Sequence, residues 1–225
     1  MMYKLENNPI LLPHQVSILK QFFASPISQS FFLTGGTALS AFYFGHRESR
    51  DFDLFSSEEF SMPLVEALLR TIAANLGASI SVKVATNMYR EMYLEHKKDG
   101  WIQRVDVVRE QPIHFGDISL IDGIRVDSLE NIGSNKILTL FSRLEVKDYV
   151  DFYTIITKSK LSFDALFALA KQKDTGLNEF YFAQSITAIE QLATLPVMKI
   201  FFDRLEMVSY FKQLSRELLL RIKPK

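Results

Sequence analysis

The period of the apolar pattern changes at about Ser128, and this change constrains the fold more than any other feature of the chain. Before it, short alternating runs typical of strands lie between stretches with helical spacing; after it, helical spacing continues almost throughout. The order is two helices, a strand, a helix, a three-stranded meander and then helices, which predicts an α+β core followed by a helical half. We therefore predict two domains, residues 1–125 and residues 126–225.

The first predicted domain contains start and stop signals for individual elements. Its predicted helices run from Pro13 to Phe23, from near Thr37 to near Gly45, and from Pro63 to a stop at Gly77. Its predicted strands are 50–55, 80–85, 90–95 and 101–108. Asp99-Gly100 separates the last two strands and is a strong hairpin signal, so these strands are expected to pair with each other.

Composition excludes several classes of protein. The chain has 26 basic and 26 acidic residues and a formal net charge of zero, which argues against holding long nucleic acid by bulk electrostatics. It has no Cys, which excludes disulfides, Cys-ligated zinc and thiol catalysis. No apolar run reaches membrane-spanning length, and the first residues lack the pattern of a signal peptide. A soluble cytoplasmic protein without a membrane partner is therefore expected.

Two carboxylates, Asp51 and Asp53, stand two positions apart in a predicted strand. Residues i and i+2 of a strand point to the same face, so the carboxylates are expected side by side with Phe52 in the core. Adjacent carboxylates repel each other and commonly need a cation, and hard oxygen ligands suit Mg²⁺ or Mn²⁺. A solvated acidic pair at the end of a strand is the alternative interpretation.

Gly35 and Gly36 precede the acidic pair and open a predicted helix that Thr37 can help to cap. Glycines let a phosphate approach the backbone, and a helix N-terminus presents free N–H groups to it. We therefore predict that Gly35, Gly36 and Thr37 bind phosphate. Taken alone, the two glycines would be better explained by a tight turn.

A third carboxylate, Asp106, lies inside an apolar strand. A charge there is costly unless it is paired or bound to a metal. If this strand lies beside that of Asp51 and Asp53, three carboxylates converge, and two metal ions could activate an attacking hydroxyl and stabilise a leaving pyrophosphate. A salt bridge to Arg104 or Arg109 is the alternative for Asp106.

Four further residues near these segments carry weaker signals. Arg47 and Arg50 precede the acidic pair, and either could pair with the carboxylates or with a substrate phosphate, or only fix the turn. His46 and His114 have no metal-ligand spacing to another His, so packing or surface roles are expected for both.

Together these segments resemble a known family. The run Gly-Gly-Thr-Ala-Leu at 35–39, the run His-Arg-Glu-Ser-Arg-Asp-Phe-Asp-Leu-Phe at 46–55 and the strand residue Asp106 look like the nucleotidyltransferase superfamily of polymerase-β type. More narrowly, they resemble the AbiEii/AbiGii-type toxin nucleotidyltransferases, over roughly residues 31–152. The resemblance implies a polymerase-β-like core, with a small mixed sheet and flanking helices, followed by a helical C-terminal domain.

That family also carries a helical motif, a Lys and an Arg followed by Lys-Asp-x-x-Asp. The matching residues here are Lys136, Arg143, Lys147, Asp148 and Asp151. The resemblance implies that Lys136 binds triphosphate. The spacing of three and four places Lys136, Arg143 and Lys147 on one helix face, where Asp148 could orient a cation. A solvated basic face with internal salt bridges is the alternative.

We predict a metal-dependent nucleotidyltransferase that moves a nucleoside monophosphate from an NTP to an acceptor hydroxyl. Asp51, Asp53 and Asp106 would bind Mg²⁺ or Mn²⁺, and Asp106 would help to deprotonate the acceptor. The resemblance implies a toxin with a separately encoded antitoxin protein. It also implies an RNA acceptor, with the 3′ end of tRNA as the first expectation. The alternatives are a same-fold enzyme that modifies a small molecule, or a degenerate copy that binds nucleotide or a partner.

Positive charge collects near the C-terminus, from Pro196 onward. Seven cations and three anions give this segment a net charge of +4: Lys199, Arg204, Lys212, Arg216, Arg221, Lys223 and Lys225 against Asp203, Glu206 and Glu217. Such a segment could contact a few RNA phosphates. The lysine-rich end of a soluble helix is the alternative.

Overall fold

The computed structural model describes residues 2–110, 112–191 and 194–222, which form two compact units. The first unit comprises Met1–Gly45 and Ser49–Ser128, and the second comprises His46–Glu48 and Leu129–Lys225. The domain prediction from the sequence assigned all of residues 1–125 to one domain. The structure instead groups His46–Glu48 with the helical unit, because the backbone of this segment pairs with Val197 and Lys199.

In the part of the chain that the structure describes, a seven-stranded mixed sheet forms the centre of the first unit. Its strands are β1 (Phe32–Thr34), β2 (Phe52–Ser56), β3 (Ser79–Ala85), β4 (Tyr89–His96), β5 (Trp101–Arg109), β6 (Ser119–Ile121) and β7 (Ile124–Val126). Their order is β3-β4-β5-β2-β1-β7-β6. Strand β2 runs parallel to β5 and β1 parallel to β7, while the other neighbours are antiparallel. The predicted α+β class is confirmed.

The predicted strands match β2, β3, β4 and β5, and the hairpin at Asp99-Gly100 joins β4 to β5. The sequence reading missed β1, β6 and β7. Each of these strands has three residues, which is too short for an alternating pattern to emerge.

Three α-helices pack among the described residues of the first unit: α1 (Pro13–Phe23), α2 (Gly35–Ala38) and α3 (Met62–Asn75). A short 3-10 helix, Pro26–Ser30, precedes β1. A π-helical turn, Leu39–Phe44, continues α2 and ends at Gly45, whose φ of 60° stops the helix. The core contains Phe22 and Phe31, whose rings meet edge to face with centroids 5.6 Å apart. Phe52 and Leu54 are buried on the core face of β2, as their alternation predicts.

The second unit contains the helices α4 (Leu129–Ser142), α5 (Val146–Lys158), α6 (Phe163–Lys173), α7 (Glu179–Thr187) and α8 (Arg204–Arg221). Its core is aromatic, and Phe211 contacts Tyr149 and Phe152 with ring centroids 5.0 Å and 6.2 Å away. Gly133 lies so close to Leu166 that a Cβ on it would meet the Leu166 side chain at 2.8 Å.

The helical face predicted to carry three cations is interrupted. Helix α4 ends at Ser142 and α5 begins at Val146, so Lys147 belongs to the next helix and not to the helix of Lys136. The prediction was wrong because helical spacing continues through a short non-helical connection. No helix among the described residues has the length and apolar character needed to span a membrane.

Candidate active site

Strands β2 and β5 bring two of the predicted carboxylates together. They run parallel and in register, with Asp53 opposite Asp106. Partners opposite each other in a sheet point to the same face, so the two side chains are neighbours across the strands. This is the strand arrangement that a site shared by Asp53 and Asp106 requires.

Gly35 makes a close approach to the first of these carboxylates. A Cβ built on Gly35 would lie 2.0 Å from Oδ2 and 2.8 Å from Cγ of Asp53. The backbone φ of Gly35 is also positive, at 68°, a conformation that disfavours residues with a side chain. Only glycine therefore lets the chain pass beside the Asp53 carboxylate in this position.

Thr37 links the glycine segment to the other acidic residue. Its fully buried hydroxyl donates to the backbone carbonyl of Asp51 at 2.5 Å and lies 2.8 Å from Ser49 Oγ. Thr34 occupies the cap position of α2. The structure thus uses the Thr37 side chain to anchor the segment that leads into β2.

Arg104 and Tyr89 contact the Asp106 carboxylate. Arg104 reaches both of its oxygens, with Nη2 2.8 Å from Oδ2 and Nε 3.1 Å from Oδ1, and the Tyr89 hydroxyl lies 3.1 Å from Oδ1. The alternative salt bridge to Arg104 is therefore present, whereas Arg109 donates to the carbonyl of Phe60. Burial raises the pKa of Asp106, although Arg104 acts in the opposite direction.

Glu91 is an acidic residue that the sequence reading missed. It lies opposite Asp106 on β4, so Asp53, Asp106 and Glu91 form a row across three strands. The Tyr93 hydroxyl donates to Glu91 at 2.7 Å and is the main reason that the pKa of Glu91 is lowered. The alternation of Glu91 and Tyr93 along the predicted strand 90–95 was the available signal for a polar face.

Arg50 contributes through its backbone. Its carbonyl accepts from the side-chain amides of Gln103 at 2.5 Å and Gln15 at 3.1 Å, which fixes the chain just before Asp51. Within residues 2–110, 112–191 and 194–222, no three acidic or imidazole groups are gathered closely enough to hold a metal ion. The shared three-carboxylate site of Asp51, Asp53 and Asp106 stays a prediction.

A separate ionic cluster lies inside the second unit. Asp151 is fully buried and accepts from Arg47 through both of its oxygens, at 2.6 Å and 2.7 Å, while His46 Nε2 lies 2.9 Å away. Arg47 also forms a β-bridge with Met198. The sequence left open whether Arg47 meets the acidic pair, a phosphate or a turn. Its observed partner lies 104 positions away, beyond the reach of local patterns.

Lys136 and Arg143 complete this cluster. The Lys136 ammonium lies 2.7 Å from Asp148 and 2.6 Å from Asp151, with only 7% of its side chain exposed. Arg143 contacts Asp148 at 2.8 Å, so Asp148 does orient cations as its position suggested. Lys147 pairs with Glu145 at 2.9 Å near the surface.

The fold is similar to that of two solved structures. A crystal structure of a candidate nucleotidyltransferase from H. pylori matches with a TM-score of 0.60 and 17% identity, covering 94% of this chain and 96% of that one. The crystal structure of JHP933 from Helicobacter pylori matches with a TM-score of 0.54 and 16% identity, covering 92% and 90%.

The family follows from the sequence itself. The family model described as "Nucleotidyl transferase AbiEii toxin, Type IV TA system" matches residues 17–219. The chain therefore belongs to the AbiEii nucleotidyltransferases, toxins of type IV toxin–antitoxin systems, and the resemblance inferred from its motifs is confirmed. A search of curated proteins found no significant match.

Proposed function

We propose that this chain transfers a nucleoside monophosphate from an NTP to an RNA hydroxyl, namely the 3′ end of tRNA, with a divalent metal ion. The observation that carries the proposal is the arrangement of Asp53 and Asp106 in register on neighbouring parallel strands, with Gly35 against the Asp53 carboxylate. The family supports the toxin role and an antitoxin partner.

The residues present fit Mg²⁺ or Mn²⁺. Carboxylate oxygens are the ligands these cations prefer, and Asp53 and Asp106 supply such oxygens from facing positions on neighbouring strands. Asp51, Asp53 and Asp106 would hold the ion, and Asp106 would exchange its contact with Arg104 for it. When bound, the cation supplies Lewis-acid stabilisation of the transferring phosphoryl group and of the pyrophosphate that leaves.

The chain's own groups would perform the remaining steps. The acceptor oxygen forms a bond to the α-phosphorus while the bond from that phosphorus to the pyrophosphate oxygen breaks. Asp106 would help to take the proton of the acceptor hydroxyl. Gly35, Gly36 and Thr37 would bind phosphate, and Thr37 would also hold Asp51 in place through its backbone carbonyl.

We also propose the predicted triphosphate role for Lys136. Its two carboxylate partners account for its burial by themselves, so the proposal needs a test that separates nucleotide binding from stability. The Lys136 variant described in the Discussion provides that test.

The C-terminal cations support the proposal of an RNA acceptor less than their number suggested. Lys199, Lys212 and Arg221 are paired with Glu48, Glu190 and Asp164 respectively. Lys223 and Lys225 lie outside the described residues. The proposal of an RNA acceptor therefore depends on the family and not on this segment.

The direct experiment incubates the protein with each α-³²P-labelled NTP, Mg²⁺ or Mn²⁺, and either total tRNA or a small-molecule extract. We expect label on tRNA that requires the metal and is lost in Asp53→Asn. Label that appears only on a small molecule would overturn the RNA acceptor. No transfer with any NTP and metal would overturn the proposed activity.

A further inference from the structure

Asp127 is a fully buried carboxylate that directly follows β7. Its Oδ2 accepts from the Thr34 hydroxyl at 2.5 Å. Its Oδ1 lies 2.8 Å from His114 Nε2 and accepts from the backbone N–H of Ser128 at 2.8 Å. With donors on both oxygens, this carboxylate holds its partners in one arrangement, because an unsatisfied buried charge would be costly.

The partner that matters is Thr34, the last residue of β1. Strands β1 and β7 run parallel with Leu33 opposite Val126, so Thr34 and Asp127 lie at the same end of the sheet. Thr34 is opposite Asp53 in the register with β2. The next residue, Gly35, is the one that approaches the Asp53 carboxylate.

A second contact fixes the other end of the same segment. The hydroxyl of Tyr43 donates to the backbone carbonyl of Asp127 at 2.5 Å. Tyr43 lies near the end of the continuous helical run that begins at Gly35. One residue thus contacts both ends of the segment that carries Gly35, Gly36 and Thr37.

We propose that Asp127 is a positioning residue for the nucleotide and metal site: its contacts with Thr34 and Tyr43 set where Gly35 lies against Asp53. The inference rests on the proposed function. Glycine has more conformational freedom than any other residue, so the position of Gly35 depends on how firmly its neighbours are held. Groups that hydrogen-bond to metal ligands change metal affinity or activity by about 10- to 100-fold when they are removed, and we take the lower end of that range for the contacts of Asp127.

The test compares four substitutions in the full chain: Thr34→Val, Thr34→Ser, Ser28→Ala and Tyr43→Phe. Thr34→Val keeps the shape of the side chain and removes its hydroxyl, whereas Thr34→Ser keeps the hydroxyl. Ser28→Ala is the matched control, since Ser28 is also buried and donates at 2.7 Å to the carbonyl of Ser25, within the short helix before β1. The measurement is the Kd of a non-hydrolysable NTP analogue with Mg²⁺, well below the melting temperature of each variant.

We expect Thr34→Val to weaken binding by at least about tenfold, while Thr34→Ser and Ser28→Ala stay within about twofold of the parent. Tyr43→Phe loses the second contact and should weaken binding in the same direction, which keeps the test decisive if Thr34→Val does not fold. Folded Thr34→Val or Tyr43→Phe with the parent's Kd would overturn the inference. If the parent itself binds no NTP analogue, the proposed function fails and the inference fails with it.

Discussion

The acidic groups of the two units differ in how their charge is balanced. In the helical unit, Asp151 is fully buried among Arg47, Lys136 and His46. Burial alone would raise its pKa, but the two cations outweigh burial and hold the pKa well below its usual range. In the sheet unit, Asp106 has Arg104 as its cation, and burial prevails, so its pKa is raised.

This difference separates acids that are neutralised by cations of their own unit from a row of acids that can accept a metal ion. Asp148 and Asp151 of the helical unit already contact cationic side chains of their own unit. A further cation would therefore stabilise them little. The row of Asp53, Asp106 and Glu91 lies on partly exposed positions of a sheet face, with Arg104 contacting two of the three acids. We therefore expect metal binding and catalysis at the row of acids in the sheet unit. The ionic cluster of the helical unit is expected to contribute mainly to the free energy of unfolding.

The largest effect on activity is expected at Asp53. Asp53→Asn should lower the rate of nucleotide transfer by at least about a hundredfold, because an amide is a poor ligand for a hard dication. The free energy of unfolding should change little, since the substitution removes one negative charge from a group of neighbouring negative charges. Transfer assays and urea unfolding measure the two quantities. Activity close to that of the parent would contradict the metal assignment.

The largest effect on stability is expected at Lys136. Lys136→Met would leave Asp148 and Asp151 short of positive charge in the interior and should cost about 3–5 kcal/mol of unfolding free energy. The Kd for NTP, measured while the variant is still folded, tests the triphosphate role separately. Unchanged stability would show that the buried cluster does not need this cation.

A smaller effect is expected at Arg104. Arg104→Gln should raise the affinity for Mn²⁺ by about tenfold, equivalent to about 1.4 kcal/mol, because the ion no longer competes with a guanidinium for Asp106. The matched control is Arg70→Gln, which removes an exposed partner of Glu66 on α3. Electron paramagnetic resonance of free Mn²⁺ measures the binding. Equal affinity in both variants would mean that Arg104 does not oppose the metal.

The smallest expected effect is on the pH dependence of the free energy of unfolding. The pKa values of Asp148 and Asp151 are lowered in the folded protein, so their contribution to stability is present above about pH 4, the range of an unfolded aspartate, and is lost as the pH falls through the folded values. Unfolding in urea should therefore become easier below pH 4. The Lys136→Met/Asp151→Asn double variant should show a shallower dependence on pH. An equally steep dependence would place the acid sensitivity elsewhere.

Much of the sheet could be predicted because its signals are local. The alternation in β3, β4 and β5 and the Asp-Gly turn needed only neighbouring residues. Asp106 stood out as an acid in an apolar strand, and the structure places it beside Asp53. The break between α4 and α5 was missed because apolar spacing persists across 143–145.

The sequence by itself determined the fold class, the family and the acids that the proposed chemistry needs, because each is encoded in residue types at short, fixed spacings. Only the tertiary structure decided which charges meet. It joined Arg47 to Asp151 and Thr34 to Asp127, pairs separated by 104 and 93 positions. The physical reason is that a buried charge must find a counter-charge or donors in three dimensions, and no local pattern specifies which distant residue provides them.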